Sequence, residues 1–495
     1  METYRDASPE EVDEALQRSW AAFRVYKKVN LEDRAQFLHR IADQLEARSE
    51  PLLGIAAQET HLDKDRLGVE LKRTVFQLRS YGDACARGAW LDIRIDTHSQ
   101  LSGGSINLRK MLVPLGPVVV FGASNFPFAY STAGGDTACA LAAGCPVLVK
   151  AHPAHAHTSE SVALAVKEAA KQCGLPEDVF IHVHGAAFEV GKALVEHPHT
   201  KAVGFTGSFA GGKALADLAQ LRPVPIPVFA EMGSVNPVFL LPGKLQSDAA
   251  SVASLYTASI TQSAGQFCTN PGILVGMEGE GLTVFRNLLA EGISAVKPVP
   301  MLHEGIAKSF VEKREKALAQ PGVVTAASTS FPAAPGESIP TLAEVPAAAF
   351  LKNPLLHEEV FGPFSLLVAC QNEEEMMAVA QSLPGQLTAS LMATEAEALK
   401  ASELVAVLRE KCGRLIMNGV PTGVEVALAM HHGGPYPATT DSRFTAVGAD
   451  GIKRFARPVC FQNWSDGLLP PELQNANPLG LWRTVNDQLT LEPIG

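Results

Sequence analysis

Residues 146–220 read PVLVKAHPAHAHTSESVALAVKEAAKQCGLPEDVFIHVHGAAFEVGKALVEHPHTKAVGFTGSFAGGKALADLAQ, and the fold turns on this stretch. Three short apolar runs, PVLVK (146–150), VFIHVHG (179–185) and AVGFTG (202–207), each precede a helix-like segment. Those segments are TSESVALAVKEAAKQCG (158–174), EVGKALVEHP (189–198) and GGKALADLAQ (211–220). Strands alternating with helices of this length make βαβ units, and their parallel strands build a doubly wound sheet. The run Val118–Phe121 ahead of them is apolar throughout, as a strand buried on both faces requires. The chain therefore reads as α/β.

Working outward, Ser8-Pro9-Glu10-Glu11 predicts a helix start, with Ser8 as cap, Pro9 in the first turn and Glu11 closing a capping box. Arg34–Leu53 reads as one helix with Phe37, Ile41, Leu45 and Leu52 on its apolar face. Alternation over Leu91–Ile95, the SGG at 102–104 and SINLRKMLV (105–113) predict a strand, a turn and a returning strand. From Gly233 a second alternating region runs through NPVFLLP (236–242), GILVGM (272–277), PFSLLVAC (363–370), TASLMAT (388–394) and RLIMNG (414–419). Residues 458–486, rich in Pro, Asn and Trp, read as an irregular arm. The stretch ASTSFPAAPGES (327–338) reads as a surface loop.

The chain has 495 residues, enough for roughly three domain-sized cores. A net charge of −11 and the lack of a Lys/Arg stripe exclude a nucleic-acid footprint. No run reaches the ~18 apolar residues of a membrane span, and the polar, acidic N-terminus does not read as a secretory signal. Eight scattered cysteines without a CxxC pair read as free thiols in a reducing cytoplasm.

Four separated segments bring residue types that thiol chemistry needs to SAGQFCTN (263–270), where Cys268 lies. In FGASNFPFAY (121–130), Asn125 follows a buried strand and offers amide N–H groups to an oxyanion, or a cap to the next turn. AVGFTGSFAGG (202–212) ends a strand in Gly207-Ser208 and opens a helix at Gly211-Gly212, like a phosphate-binding turn, although it is not GxGxxG. Glu231 in FAEMGSVNP (229–237) lies among apolar and small residues, where burial raises a carboxylate toward the range of a general base. In LLHEEVFGP (355–363), one of Glu358 and Glu359 suits ribose hydroxyls and Phe361 a flat ring, or the two carboxylates are an exposed charge pair before a strand.

FGASNFPF, VLVK, FTGS, EMGSVNP, GQFCTN and EEVFGP occur in the order and spacing of the aldehyde dehydrogenase superfamily, which the chain resembles almost end to end. The stretch FGASNFPFAYSTAGGDTACALAAGCPVLVKAHPAHAHTSE, with RPVCFQNW near the end, is most similar to the 2-oxoglutarate-semialdehyde (2,5-dioxopentanoate) dehydrogenase branch. The resemblance implies a Rossmann-type nucleotide-binding domain (1–91 and 112–232), an α/β catalytic domain (233–430) and a β oligomerisation arm (92–111 and 455–495). It implies oxidation of an aldehyde through a cysteine thiohemiacetal and thioester, with NAD or NADP as oxidant and no metal. Carried over residue by residue, Cys268 is the nucleophile, activated by a lowered pKa. Glu231 is the water-activating base, and Asn125 with the Cys268 backbone N–H forms the oxyanion hole. Lys150, His152, Pro153, Gly207, Ser208, Gly212, Glu359 and Phe361 line the cofactor. Phe126 and Phe267 wall the aldehyde tunnel, and Arg443 is a candidate anchor for a substrate carboxylate. The edge of the exposed arm predicts a homodimer or homotetramer.

The chain departs from the family pattern in two places. The glutamate that many NAD-preferring members carry three residues after the lysine is Pro153 here, so a 2′-phosphate meets no carboxylate at that position. No arginine stands in the nearby loop to clamp one, and Glu189 opposes it, so both dinucleotides stay open. Where many members read PFGGYKxSG, this chain has HHGGPYPAT (431–439). HPAHAH (152–157) lacks a cysteine or carboxylate at ligand spacing, which argues against zinc. Two other readings of the function remain. One is a fatty or broad-specificity aldehyde dehydrogenase. The other is a cofactor-independent cysteine hydrolase or acyltransferase, for which no motif places a histidine beside Cys268.

Overall fold

The computed structural model describes residues 4–99, 101 and 103–494. The alternating stretch folds into a five-stranded, wholly parallel sheet. Its order is Phe180–Val183, Val147–Lys150, Val118–Phe121, Ala202–Thr206, Val228–Glu231. Chain order runs one way from Val118–Phe121 and the other way from Ala202–Thr206. These neighbouring strands make a topological switch point, and the crevice at their carboxyl ends is where such sheets bind ligands. Val118, Val119, Val147, Leu148 and Val203 are fully buried, which explains the absence of polar alternation.

The first helix, Pro9–Tyr26, packs Val12, Ala15 and Leu16 on the sheet face that carries Val119 and Leu148, and the helices that follow pack on the opposite face with Val118, Val120, Val147 and Val149. Ser8 Oγ accepts from the Glu11 N–H at 3.2 Å, and the Glu11 carboxylate accepts from the Ser8 N–H at 2.8 Å, so the predicted capping box is present. The single helix expected over 34–53 is two, Leu31–Ala47 and Ser49–Thr60, because Arg48 leaves helical geometry at φ −108°. Leu52 therefore packs from the second helix, while Phe37, Ile41 and Leu45 are buried by the first.

A second, seven-stranded sheet has the order Val324–Ser328, Thr341–Pro346, Phe364–Cys370, Ile273–Met277, Val238–Leu240, Gln386–Met392, Cys412–Met417. All its pairings are parallel except that of the edge strand Val324–Ser328, whose last two residues lie inside the stretch read as a loop. The third sheet is mixed and has the order Ala456–Gln462, Ser105–Pro114, Arg94–His98, Arg483–Val485, Gln488–Thr490. The tail is thus less irregular than its composition predicts, because its short strands find partners on the 94–114 hairpin. The first strand of that hairpin also starts later than the Leu91–Ile95 alternation implies, since Asp92 sits at φ 46° after a turn of 3-10 helix. Ser102 of the SGG turn lies outside the described residues. All eight cysteines are free. Among the described residues no helix is long and apolar enough to cross a membrane.

Candidate active site

Both strands at the switch point deliver site residues. Asn125 follows Val118–Phe121, and Gly207-Ser208 follows Ala202–Thr206. Ser208 caps the helix Phe209–Gln220, its Oγ accepting from the Gly211 N–H at 3.2 Å. Gly207 donates its N–H to the Glu231 carbonyl at 3.0 Å, which ties this turn to the neighbouring strand. A Cβ at Gly207 or Gly211 would come within 2.7 or 2.9 Å of the Phe205 ring, so the turn stays bare backbone.

Cys268 is aimed from the second domain-sized layer by an unusual run of backbone. Ser263, Ala264 and Gly265 all adopt left-handed conformations, at φ 48°, 56° and 65°. Only the last is a glycine, and a Cβ there would press into the Gly362 carbonyl at 2.4 Å. Such strain persists where the surroundings over-determine it. Here Gln266 donates to the Ser263 carbonyl at 3.0 Å and accepts from the Leu302 N–H at 3.0 Å. Asn236, buried and left-handed at φ 45°, donates its amide to the Cys268 and Asn270 carbonyls, both at 2.9 Å. Its oxygen accepts from Ser234 and Thr388, each at 3.0 Å. The nucleophile loop is thus held by a buried polar network that is satisfied on both sides.

Asn125 is 8% exposed and donates one amide N–H to the Gln266 carbonyl at 3.1 Å. An amide has two N–H donors, so this bond uses one of them, and Asn125 lines the same cavity as Cys268. Its backbone carbonyl accepts from Arg66 at 2.9 Å, which fixes the loop from the other side.

A histidine completes the centre, although no motif placed one there. The segment after His431 returns along the edge strand Val228–Glu231. The Met232 N–H donates to the Ala438 carbonyl at 2.8 Å, and the Thr440 N–H to the Ala230 carbonyl at 3.1 Å. This return sets His432 Nε2 at 3.0 Å from Glu231 Oε1 and 3.8 Å from Cys268 Sγ, with the His432 and Glu231 side chains 1% and 3% exposed.

The electrostatics differ from the sequence expectation on both counts. Burial pushes the Glu231 carboxyl up, but the His432 imidazole beside it, with help from Cys268 and Arg454, leaves it below the usual carboxylate range. The Cys268 thiol is raised well above its usual value, first by burial and then by the Glu231 carboxylate facing it. The resting pair is therefore a thiol beside a carboxylate.

Two cavities meet at Cys268. One is lined by Asn125, His152, Gly207, Ser208, Gly211, Glu231, Glu359 and Phe361 along with Cys268. The other is lined by Phe126, Tyr130, Phe267 and three arginines, Arg66, Arg73 and Arg414. Phe126 and Phe267 meet edge to face with centroids 5.5 Å apart, and the Arg66 guanidinium lies over both rings at 4.9 and 5.6 Å. Arg66 also pairs with buried Glu70 at 3.3 Å. Arg73 donates to the Val424 carbonyl at 3.0 Å. Glu359 is pushed up to about 7 by burial, tempered by the Lys313 charge and the Ser234 N–H.

Other expected residues lie apart from the sulfur. Arg443 does not line either cavity. Its side chain is 79% exposed and its Nε donates to Asp441 at 2.8 Å, so a neighbour two residues away captures the guanidinium. Gly212 packs under the turn, where a Cβ would meet Met232 at 2.6 Å, and Gly211 takes the cavity position instead. Lys150 ends the strand Val147–Lys150 near Asp6, whose carboxylate accepts from the Ala186 and Ala187 N–H groups at 2.7 and 2.9 Å. Pro153 opens a 3-10 turn beside it. The other histidines of HPAHAH bond to the protein, His155 to the Ala123 carbonyl at 2.8 Å and His157 to Glu59 at 3.0 Å.

A thiol, a carboxylate and a side-chain amide at the switch point, between a glycine-lined cleft and an aromatic tunnel, define a class of thiol-dependent nucleotide-binding α/β proteins. Residues 1–455 match the aldehyde dehydrogenase family, and the chain belongs to that family. It is 44% identical to an alpha-ketoglutaric semialdehyde dehydrogenase of Acinetobacter baylyi over 98% of this chain and 93% of the relative. It is 45% identical to alpha-ketoglutaric semialdehyde dehydrogenase 2 of Azospirillum brasilense over 96% of this chain and 91% of the relative. Its fold matches that of a Thermus 1-pyrroline-5-carboxylate dehydrogenase with bound NAD at a TM-score of 0.79, with 21% identity, over 92% of this chain and 86% of that one.

Proposed function

We propose that this protein oxidises 2-oxoglutarate semialdehyde to 2-oxoglutarate with NAD or NADP. The observation that carries the reading is the position of Cys268 between two unlike cavities, one bare and glycine-lined, the other aromatic with three arginines. The relatives named above support the same substrate. An aldehyde bearing an α-keto acid at its far end needs cationic hydrogen-bond donors in the cavity that receives it, and Arg66, Arg73 and Arg414 line that cavity. A fatty aldehyde needs none.

The glycine turn and the capped helix start fit a dinucleotide pyrophosphate, since Gly207 and Gly211 line the cavity with bare backbone at a helix N-terminus. Ser208, Gly207 and Gly211 would hold the phosphates, Glu359 the nicotinamide ribose, Phe361 the ring and Lys150 the distal ribose. When bound, this cofactor accepts the hydride from the substrate carbon.

The chain's own residues do the rest. Glu231 takes the Cys268 thiol proton as sulfur bonds to the aldehyde carbon. The new oxyanion is held by the free Asn125 N–H and the Cys268 backbone N–H. Glu231 passes the thiol proton to solvent. Once the thioester exists it takes a proton from water, the hydroxide adds to the carbonyl, the carbon–sulfur bond breaks to release acid and thiolate, and the Glu231 proton returns to the sulfur. His432 keeps the carboxylate ionised and oriented toward the sulfur through both proton transfers.

The arm is proposed to join subunits as a homodimer or homotetramer. Its edge strand Ala456–Gln462 pairs on one side only, and Trp464, Leu468, Leu479, Trp482 and Leu489 are exposed around the same sheet.

The test is initial-rate measurement with the semialdehyde, a short uncharged aldehyde and decanal, each with NAD and NADP. Preference for the semialdehyde supports the reading, and preference for decanal overturns the substrate. Absence of cofactor reduction with every aldehyde, together with ester hydrolysis, would favour a cysteine hydrolase built on Cys268 and His432.

A further inference from the structure

We propose that Glu231, Cys268 and His432 together form a three-ligand site for a thiophilic divalent cation such as zinc, whose binding silences the nucleophile and the base at once. The donors come from three separate segments: the end of the strand Val228–Glu231, the loop after Gly265, and the returning segment that opens at His431. One ligand atom from each lies within 4.8 Å of the others.

The spacing is that of a tetrahedral site. With bonds of about 2.3 Å to sulfur and about 2.05 Å to nitrogen or oxygen, tetrahedral angles place S and N about 3.6 Å apart and N and O about 3.3 Å apart. The observed separations are 3.8 Å between Sγ and Nε2 and 3.0 Å between Nε2 and Oε1. Shifts of about 0.3 Å bring these two separations to that geometry, and the buried polar network around Asn236 already holds the cysteine loop in place. Thiolate, imidazole and carboxylate also form a donor set that zinc takes in proteins. Cys268 and Glu231 face the glycine-lined cavity, which gives the ion an entry path and a fourth position for water.

Binding balances simply. The Sγ–H bond breaks, a sulfur–zinc bond forms, and one proton passes to solvent. Glu231 binds as carboxylate, and the imidazole ligates through Nε2 with its proton on Nδ1. No electron moves, so chelation reverses the block.

The other histidine–carboxylate cluster among the described residues, Glu160, His182 and His184, is a weaker candidate. Both imidazoles there converge on a single oxygen, Glu160 Oε2, at 3.1 and 2.9 Å, and the far nitrogen of His182 is taken by Ser159 at 2.8 Å.

The experiment titrates Zn²⁺, with Co²⁺ as a spectroscopic stand-in, into the full chain. Exposed Cys460 is replaced by serine throughout to remove an adventitious thiol. The expected result is one zinc per chain, a near-ultraviolet sulfur-to-cobalt absorption, and zinc protection of Cys268 from iodoacetamide. Cys268→Ser should abolish the absorption, and His432→Phe should weaken zinc binding at least about tenfold. Glu231→Gln provides a second ligand variant should His432→Phe fail to fold. Zinc affinity unchanged in C268S, or unchanged in the foldable ligand variant, would overturn the site, as would a missing sulfur-to-cobalt absorption. These readouts need no turnover. A chain that binds zinc this way but oxidises no aldehyde refutes the proposed function alone, and an active dehydrogenase without these readouts refutes the metal site alone.

Discussion

Glu231 Oε1 and His432 Nε2 stand 3.0 Å apart with both side chains almost fully enclosed, although 201 positions separate them in the chain. The contact decides the charge state of the base. Burial raises the Glu231 carboxyl, and the imidazole outweighs that and leaves it below the usual carboxylate range. Replacing His432 with Phe therefore lets the Glu231 carboxyl rise. The acid limb of the kcat profile, which reports the deprotonated base, should move to higher pH. His432→Gln, which keeps an N–H donor, should move it less. Superimposable pH profiles for wild type and H432F would refute the role.

In the proposed mechanism Asn125 gives its remaining N–H to the oxyanion, and so acts on the transition state more than on the ground state. Asn125→Ala should lower kcat by about 10²–10³-fold and leave KM within about threefold. A change confined to KM would assign the residue to substrate binding instead.

Arg73 and Arg414 line the tunnel beside Cys268. Replacing either with Leu should raise KM for the semialdehyde about tenfold or more, the cost of one charge-assisted contact. Rates with a short uncharged aldehyde should hold. Equal losses with both substrates would mean that the arginines serve the fold rather than recognition.

How much of this is legible in sequence depends on whether a relationship is local. The doubly wound sheet follows from PVLVK, VFIHVHG and AVGFTG, because apolar runs and helix lengths are local properties. Cys268, Glu231 and Asn125 lie in motifs that quote their own neighbourhood. His432 does not, because it reaches the sulfur only through a loop pairing along Val228–Glu231. Arg66 and Arg73 sit on the helix Lys64–Arg87, whose periodicity marks them as polar but cannot say that a cavity covers them. Arg443 misled for the opposite reason: its attractive chemistry is satisfied two residues away by Asp441.

The proposed contact of Glu359 with the nicotinamide ribose would link cofactor binding to pH. Its carboxyl is pushed up to about 7, so it is largely protonated at pH 6 and ionised at pH 8. A ribose hydroxyl donates better to the ionised form, so dinucleotide affinity should tighten as pH rises across that interval. Fluorescence titration at the two pH values measures it. Glu359→Gln should bind with the same affinity at both, and a wild-type Kd that weakens with rising pH would contradict the assignment.

Gly265 tests whether the strained approach to Cys268 is structural necessity. Its φ of 65° disfavours any side chain, and an added Cβ would lie 2.4 Å from the Gly362 carbonyl oxygen, backbone that cannot rotate away. The left-handed conformation costs an alanine about 1–2 kcal/mol, and overpacking a rigid neighbour adds about 1–3 kcal/mol. Gly265→Ala should therefore lower the unfolding free energy by about 2–5 kcal/mol. The same displacement moves Gln266, whose carbonyl holds the Asn125 amide, so turnover should fall even where the variant is fully folded. Chemical denaturation and kcat measured on the same preparation separate the two effects. A variant with unchanged stability would show that the 263–265 backbone can relax, and that the left-handed run is not what aims the sulfur.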